Sequence, residues 1–245
     1  MSIWGKIIGG VAGFAAGGPL GAIAGTAFGH AVDRQRSQKT SEFKLENLQT
    51  RQATFTVAVI VLSAKMAKAD GHVTRDEVDA FKRIFEIPEN EASDVGQLFN
   101  EARQDAEGYE PYAKQIGEMF IHDQAVRENL LGGLFQIALA DGIVHPKELS
   151  FLQSVACSFN LNENDFVRIK SIYTNDDKVD PYQVLGIDQK TSNNEIKKSY
   201  RELSRENHPD TLIAKGVPQE FIDTANAKMA SINAAYDQIS KERSM

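Results

Sequence analysis

The stretch SNNEIKKSYRELSRENHPD, residues 192–210, predicts an amphipathic helix that ends at a proline. Ser192 followed by Glu195 has the spacing of a capping box, in which the two side chains satisfy free N–H groups at a helix start. Pro209 prevents the helix from continuing and disfavours helical geometry at His208. The sequence therefore predicts a helix that starts after Ser192 and ends before Pro209, with an exposed tip beyond it.

Plotted at about 100° per residue, the side chains of this helix separate into three stripes. The apolar stripe holds Ile196, Tyr200 and Leu203, the basic stripe holds Lys197, Lys198, Arg201 and Arg205, and the acidic stripe holds Glu195, Glu202 and Glu206. Charges that merely solvate a helix would mix their signs at neighbouring positions. The segregation of the charges indicates that the helix presents a positive face to an acidic partner. Attraction between the two would speed and orient their association.

A second apolar pattern begins near Phe221, after Gly216 and Pro218. Its members share one arc of about 100° on a helix: Phe221, Ile222, Ala225, Met229, Ile232, Tyr236 and Ile239. We therefore expect two antiparallel helices that pack through their apolar stripes. The triplet His208-Pro209-Asp210 would lie at their tip, followed by a long connection over residues 211–220, and would offer an imidazole, a rigid ring and a carboxylate for docking.

The C-terminal part resembles the J domain of DnaJ-type cochaperones over about residues 178–243. The resemblance rests on the order of the segment DPYQVLGI (180–187), the basic helix, the triplet and the motif Ala234-Ala235-Tyr236. It implies that the triplet stimulates ATP hydrolysis by a DnaK-type chaperone and that the basic stripe contacts that chaperone. Asn207 departs from the pattern, because many J domains carry an aromatic residue there, and this substitution predicts a looser tip.

Charge is distributed unevenly along the 245 residues, a length that suits one to three domains. Residues 53–175 hold 11 basic and 19 acidic side chains, so this middle part does not suit a nucleic-acid partner. Cys157 is the single cysteine and has apolar neighbours, which predicts a small core residue in a reducing compartment. The sequence holds no phosphate-cradling loop, nucleophile elbow or zinc-ligand spacing, and we expect no enzyme activity of its own.

Residues 7–32 contain no charged side chain and are long enough to span a bilayer, which takes roughly 20 residues. Glycine recurs there at every fourth position, at Gly9, Gly13, Gly17, Gly21, Gly25 and Gly29, so a helix would present a groove for a second helix. One alternative is a self-associating membrane anchor that forms a homodimer. A second is a hairpin that turns at Pro19 and lies on or in the membrane, and a third is a soluble glycine-rich tail.

Arg34, Arg36 and Lys39 follow this segment, whereas Lys6 alone precedes it. By the positive-inside rule, the bulk of the chain would be cytoplasmic. The sequence WGKIIG (4–9) and the exit from Gly29 to Asp33 resemble the start of the DjlA family of inner-membrane cochaperones, which implies a bacterial inner-membrane location.

The middle part contains an internal repeat. Residues 69–77 (ADGHVTRDE) are similar to residues 140–148 (ADGIVHPKE), and each copy lies between two apolar helical patterns. The simplest architecture is two similar helical hairpins packed about a pseudo-twofold axis, in a compact all-helical bundle. The repeat resembles the TerB (tellurite-resistance) domain, which implies an acidic surface that binds metal.

Four carboxylates recur in the repeat, at Asp70, Glu77, Asp141 and Glu148. Neither copy is an EF-hand, because the earlier ligand positions hold side chains that cannot bind calcium. The first alternative is that the carboxylates cap turns and helices. The second is that they meet across the pseudo-twofold axis and hold a divalent cation.

These observations predict an all-α chain in four parts: a membrane-anchor segment (1–33), a polar and partly helical linker (34–52), a TerB-like bundle (53–175) and a J domain (176–245). The predicted function is a membrane-associated cochaperone that recruits a DnaK-type chaperone, with the TerB-like domain receiving an unidentified client protein or a signal. The alternative is a metal-binding or envelope-stress-sensing TerB module to which the J domain is secondary.

Overall fold

The computed structural model describes residues 40–70, 81–82, 87, 92–104, 108–174 and 180–245. Every regular element in this part of the chain is a helix, so the predicted all-α class is confirmed. The anchor segment with its six regularly spaced glycines lies outside the described residues, as does most of the first copy of the repeat. None of the described helices is long and apolar enough to cross a membrane.

Six of the described helices belong to the middle part of the chain. They are α1 (Thr40–Asp70), α2 (Ala92–Gln104), α3 (Glu110–Met119), α4 (Gln124–Ala138), α5 (Pro146–Ser158) and α6 (Glu163–Tyr173). The C-terminal part holds α7 (Pro181–Val184), α8 (Asn193–Glu206), α9 (Pro209–Ala214) and α10 (Ile222–Glu242), with a 3₁₀ turn over Gln219–Phe221 that leads into α10.

Helix α1 is the central element of the middle bundle. Every residue from 53 to 67 is buried, as expected of a helix that is apolar on most sides and surrounded by others. Helices α2, α3, α4 and α5 pack against it. The helix runs without interruption through residue 52, where the sequence placed the end of a polar linker.

Local signals set the start of α8 as predicted. Ser192 is the N-cap, its backbone N–H donates to Glu195 Oε2 at 3.1 Å, and its Oγ accepts from the Glu195 backbone N–H at 3.4 Å. The capping box is therefore confirmed. On the buried side of the helix, Tyr200 stacks on Tyr236 of α10 with ring centroids 4.0 Å apart.

Helix α10 contributes to two separate cores. Its C-terminal half joins Ile196 in a small cluster that includes Ile232 and Ile239. Its N-terminal end lies in the core of the middle bundle, where Phe221 packs edge-on against Phe55 with centroids 4.8 Å apart. The expectation that the whole apolar arc packs on the preceding helix is thus wrong for Phe221 and Ala225.

Cys157 is exposed, which corrects its prediction as a core residue. The apolar neighbours that suggested burial, Phe151, Leu152, Val155 and Phe159, are themselves buried. On a helix, a residue two positions after Val155 lies roughly 200° away around the axis. Cys157 therefore points to the opposite side of α5 from the core.

Candidate functional site

The triplet His208-Pro209-Asp210 forms the start of α9. His208 is the N-cap, and its Nδ1 accepts a hydrogen bond from the Asp210 backbone N–H at 3.2 Å. Pro209 occupies the first helical position, where its missing N–H removes no hydrogen bond. The chain after the triplet is therefore a short helix, whereas the sequence predicted only a connection.

The polar side chains of the triplet face solvent. The side chains of His208 and Asp210 are 55% and 90% exposed, and His208 Nδ1 lies 3.8 Å from Asp210 Oδ2. Because Nδ1 accepts the backbone N–H, Nε2 carries the proton of the neutral ring and points away from the cap. The tip thus presents one N–H donor and one carboxylate on a rigid turn.

The basic stripe lies on the outer side of α8. Lys198, Arg201 and Arg205 are exposed and Lys197 is half-buried. Within the part of the chain that the structure describes, none of the four forms an ion pair. The charge of Lys198 does act on Glu195, whose pKa is lowered first by hydrogen bonds from Ser192 and then by Lys198. At 1.5 Å rise per residue the stripe extends roughly 12 Å along the helix and ends close to the triplet.

Asn207 is buried, at 1% exposure, between the stripe and the triplet. It is the C-cap of α8, and both its backbone N–H and its Nδ2 donate to the Leu203 carbonyl oxygen at 2.9 Å. Within the described residues its Oδ1 is buried and has no hydrogen-bond partner, so a looser tip remains a prediction.

A buried ion cluster joins α4, α6 and α10. Arg168 Nη2 contacts Glu128 Oε1 at 2.5 Å and Asp165 Oδ1 at 3.2 Å, while Lys228 Nζ donates to Glu128 Oε2. Gln124 Nε2 donates to Glu128 Oε1 at 3.0 Å. Two cations and two carboxylates balance one another at the junction between the middle bundle and α10.

The protonation of this cluster follows from its surroundings. Burial raises the pKa of Glu128, but the charges of Lys228 and Arg168 outweigh burial and lower this pKa to about 2. Burial lowers the pKa of Lys228, and Glu128 opposes that effect. Burial and the charge of Glu128 together raise the pKa of Tyr173. Sequence reasoning missed this cluster, because its members lie far apart in the chain and carry no motif.

The carboxylates of the repeat do not form a cluster in the described residues. Asp141 Oδ1 accepts from the Ile143 N–H at 3.1 Å, and its Oδ2 lies 3.3 Å from His145 Nε2. Glu148 is buried and its Oε2 accepts from the His145 N–H at 2.9 Å, as a helix-capping glutamate does. No group of three metal-ligating side chains occurs in this part of the chain. Glu77 and the side chain of Asp70 lie outside the described residues.

An apolar cavity of about 320 Å³ lies between α1 and α2 in the middle bundle. Its walls include Met66, Val95 and Phe99. Ser63 contributes a buried hydroxyl that forms no hydrogen bond with the described residues. A cavity of this size and lining suits an apolar group larger than a single side chain.

Comparison with known families assigns the chain in three parts. Residues 1–39 match the family described as "Co-chaperone DjlA transmembrane domain". Residues 56–171 match "Tellurite resistance protein TerB", and residues 180–244 match "DnaJ domain". The last match contains the triplet and the basic stripe.

Whole-chain relatives agree with this assignment. "Co-chaperone protein DjlA" of Photobacterium profundum is 31% identical over 98% of this chain and 99% of its own length. The protein of the same name from Coxiella burnetii is 30% identical over 100% of both chains, and that of Shewanella oneidensis is 29% identical over 100% of both. No solved structure matches the chain. The chain therefore belongs to the DjlA family of membrane-anchored co-chaperones that carry a J domain.

Proposed function

We propose that this chain recruits a DnaK-type chaperone to a membrane and stimulates its ATP hydrolysis. The observation that carries the proposal is the exposed tip next to a basic stripe that forms no ion pair with any residue the structure describes. The stripe would draw in an acidic surface and orient it through long-range attraction. His208 Nε2 and the Asp210 carboxylate would then dock, held in register by the ring of Pro209. The nucleotide and its magnesium would be bound by the partner.

The anchor places this activity at the bacterial inner membrane, with the bulk of the chain in the cytoplasm. The match of residues 1–39 to a transmembrane family and the charges of Arg34, Arg36 and Lys39 support this orientation.

Pairing of two copies through the glycine groove is part of the same proposal. The four-part division, with boundaries after residues 33, 52 and 175, remains a proposal as well.

We further propose that the TerB-like domain receives a client protein or a signal. The apolar cavity between α1 and α2 supports this role, because it offers a buried surface to an apolar group. The metal-binding alternative has less support from the described residues, since Asp141 and Glu148 are engaged in local hydrogen bonds. The net negative charge of residues 53–175 argues against a nucleic-acid partner.

Single-turnover ATP hydrolysis by a DnaK-type chaperone tests the main proposal. The full chain in detergent micelles should accelerate hydrolysis, and His208→Gln should abolish the acceleration. His122→Gln is the matched control, because His122 is also exposed but lies in the middle bundle. Wild-type protein that fails to stimulate, or a His208→Gln variant that matches it, would refute the proposal.

Charge reversal tests the basic stripe separately. Arg201→Glu should raise the half-saturating concentration of this chain about ten-fold or more at low salt, and less at high salt, because salt screens the attraction. Lys241→Glu is the matched control, since it reverses the charge of another exposed cation, which lies on α10. Equal effects of the two substitutions would mean that only net charge matters and that the stripe is not the contact.

A further inference from the structure

The back of the tip is held by the middle bundle as well as by the J-domain helices α8 and α10. Helix α9 starts at the triplet and ends at the turn Lys215-Gly216. Leu212 of α9 and Val217 after the turn are fully buried, and both belong to the core of the middle bundle. The segment that carries the triplet therefore lies between the J-domain helices and the middle bundle, with its buried side chains in the core of the bundle.

Arg51 of α1 closes this contact from the other side. Its Nε donates to the carbonyl oxygen of Lys215 at 2.7 Å, and its Nη2 contacts Asp123 Oδ2 at 2.5 Å. The guanidinium also lies over the ring of Phe120, with Cζ 4.8 Å from the centroid. Three partners thus fix the plane of the Arg51 guanidinium. The planar group carries its N–H donors in a fixed fork and can make these contacts together, whereas a lysine ammonium could not.

The turn at Gly216 allows Arg51 to approach its backbone closely. Gly216 has φ +105°, a conformation that other residues adopt at a cost. A Cβ at this position would lie 2.6 Å from Arg51 Cβ, so the close approach also requires glycine. Lys215 Nζ lies 3.6 Å from Asp123 Oδ1, a looser contact than the one its carbonyl oxygen makes with Arg51.

We propose that Arg51 is a positioning residue for the tip. It fixes the C-terminal end of α9 and so orders the six-residue helix whose first turn is the triplet. Because Arg51 lies on α1, it connects the tip directly to the helix that follows the membrane-anchor match at residues 1–39. This inference rests on the proposed function of the tip as the chaperone-docking element.

The variant Arg51→Met tests the proposal, because it keeps an unbranched apolar side chain at this position and removes both hydrogen bonds. A tip that is ordered for only a fraction of the time has an apparent affinity reduced by that fraction. We therefore expect the half-saturating concentration for ATPase stimulation to rise about five- to ten-fold, with the plateau unchanged. His208→Gln would instead remove the plateau.

Hydrogen exchange provides a second readout that a general loss of stability would not reproduce. In Arg51→Met, amides of residues 210–217 should exchange about ten-fold faster, while those of α8 and of the buried part of α1 keep their wild-type rates. Lys215→Ala is the matched control, since it removes the looser ion pair but keeps the carbonyl acceptor, and it should resemble wild type in both assays.

The possible results separate the two proposals. Arg51→Met with wild-type half-saturation and wild-type exchange would overturn the positioning role, as would an equal effect of Lys215→Ala. If wild-type protein gives no stimulation at all, the proposed function and the docking role fall together. The exchange rates then still decide whether Arg51 orders α9.

Discussion

Removal of the Glu128 carboxylate is the sharpest perturbation of this fold. In Glu128→Gln, Lys228, which is 0% exposed, and Arg168, at 6%, would lose their shared counter-charge. Lys228→Met is milder, because Arg168 still neutralises Glu128 and a methionine side chain is easily accommodated in a buried site. We expect Glu128→Gln to destabilise the chain clearly more than Lys228→Met does.

The magnitudes follow from burial. Breaking a buried ion pair by removing one partner costs about 3–5 kcal/mol. Lys228 could instead lose its proton, which for a lysine of ordinary pKa 10.5 costs about 5 kcal/mol at pH 7. Deprotonation therefore sets an upper bound on what the unpaired ammonium can cost. For Lys228→Met we expect about 1.5 kcal/mol, the low end for a hydrogen bond between charged groups, because Arg168 still neutralises Glu128. The double variant should recover about 1–2 kcal/mol relative to Glu128→Gln, because Arg168 keeps its contact with Asp165.

Urea unfolding of the full chain in detergent, followed by far-UV circular dichroism at pH 7, measures these free energies. Stability is expected in the order wild type, Lys228→Met, double variant, Glu128→Gln. Strictly additive losses in the double variant, or a Lys228→Met variant as unstable as Glu128→Gln, would refute the reasoning, because either result would mean that the carboxylate and the ammonium do not depend on each other.

Three further predictions concern other sites. The folded-state pKa of Glu128, about 2, lies below its ordinary value of 4.5. The ionised carboxylate therefore contributes about 3 kcal/mol to the free energy of unfolding above pH 4.5, and this contribution is lost as pH falls from 4.5 towards 2. Urea titrations over this range should show a steeper loss of stability in wild type than in Glu128→Gln. Because Cys157 is exposed, a thiol reagent should label it in the folded chain, and Cys157→Ser should change stability by less than about 0.5 kcal/mol; protection from labelling would contradict its placement. Arg243 donates to Tyr182 Oη at 2.8 Å and to the Thr191 carbonyl oxygen at 2.6 Å, so Arg243→Ala should destabilise the J domain by about 1–3 kcal/mol, and an unchanged urea midpoint would show that this clamp contributes nothing.

The local part of the candidate site was predictable from sequence. The capping box at Ser192, the three stripes of α8 and the exposed triplet depend on residues a few positions apart, and helix periodicity and proline stereochemistry set their geometry. The same local rules failed at Cys157, whose apolar neighbours in sequence lie on another side of α5. Asn207 is the C-cap of α8, which agrees with the predicted end of this helix before Pro209.

The sequence by itself thus determined where α8 begins and ends and which side chains the tip presents, because each of these properties is decided within one or two helical turns. It did not show that α9 forms after the triplet or that α1 continues through the expected linker. The tertiary structure alone decided how the tip is held. The contacts of Arg51 with Lys215 and of Glu128 with Lys228 join residues 164 and 100 positions apart. No periodicity relates such residues, since pairing at that distance depends on which helix faces pack together, and only the folded chain brings those faces into contact.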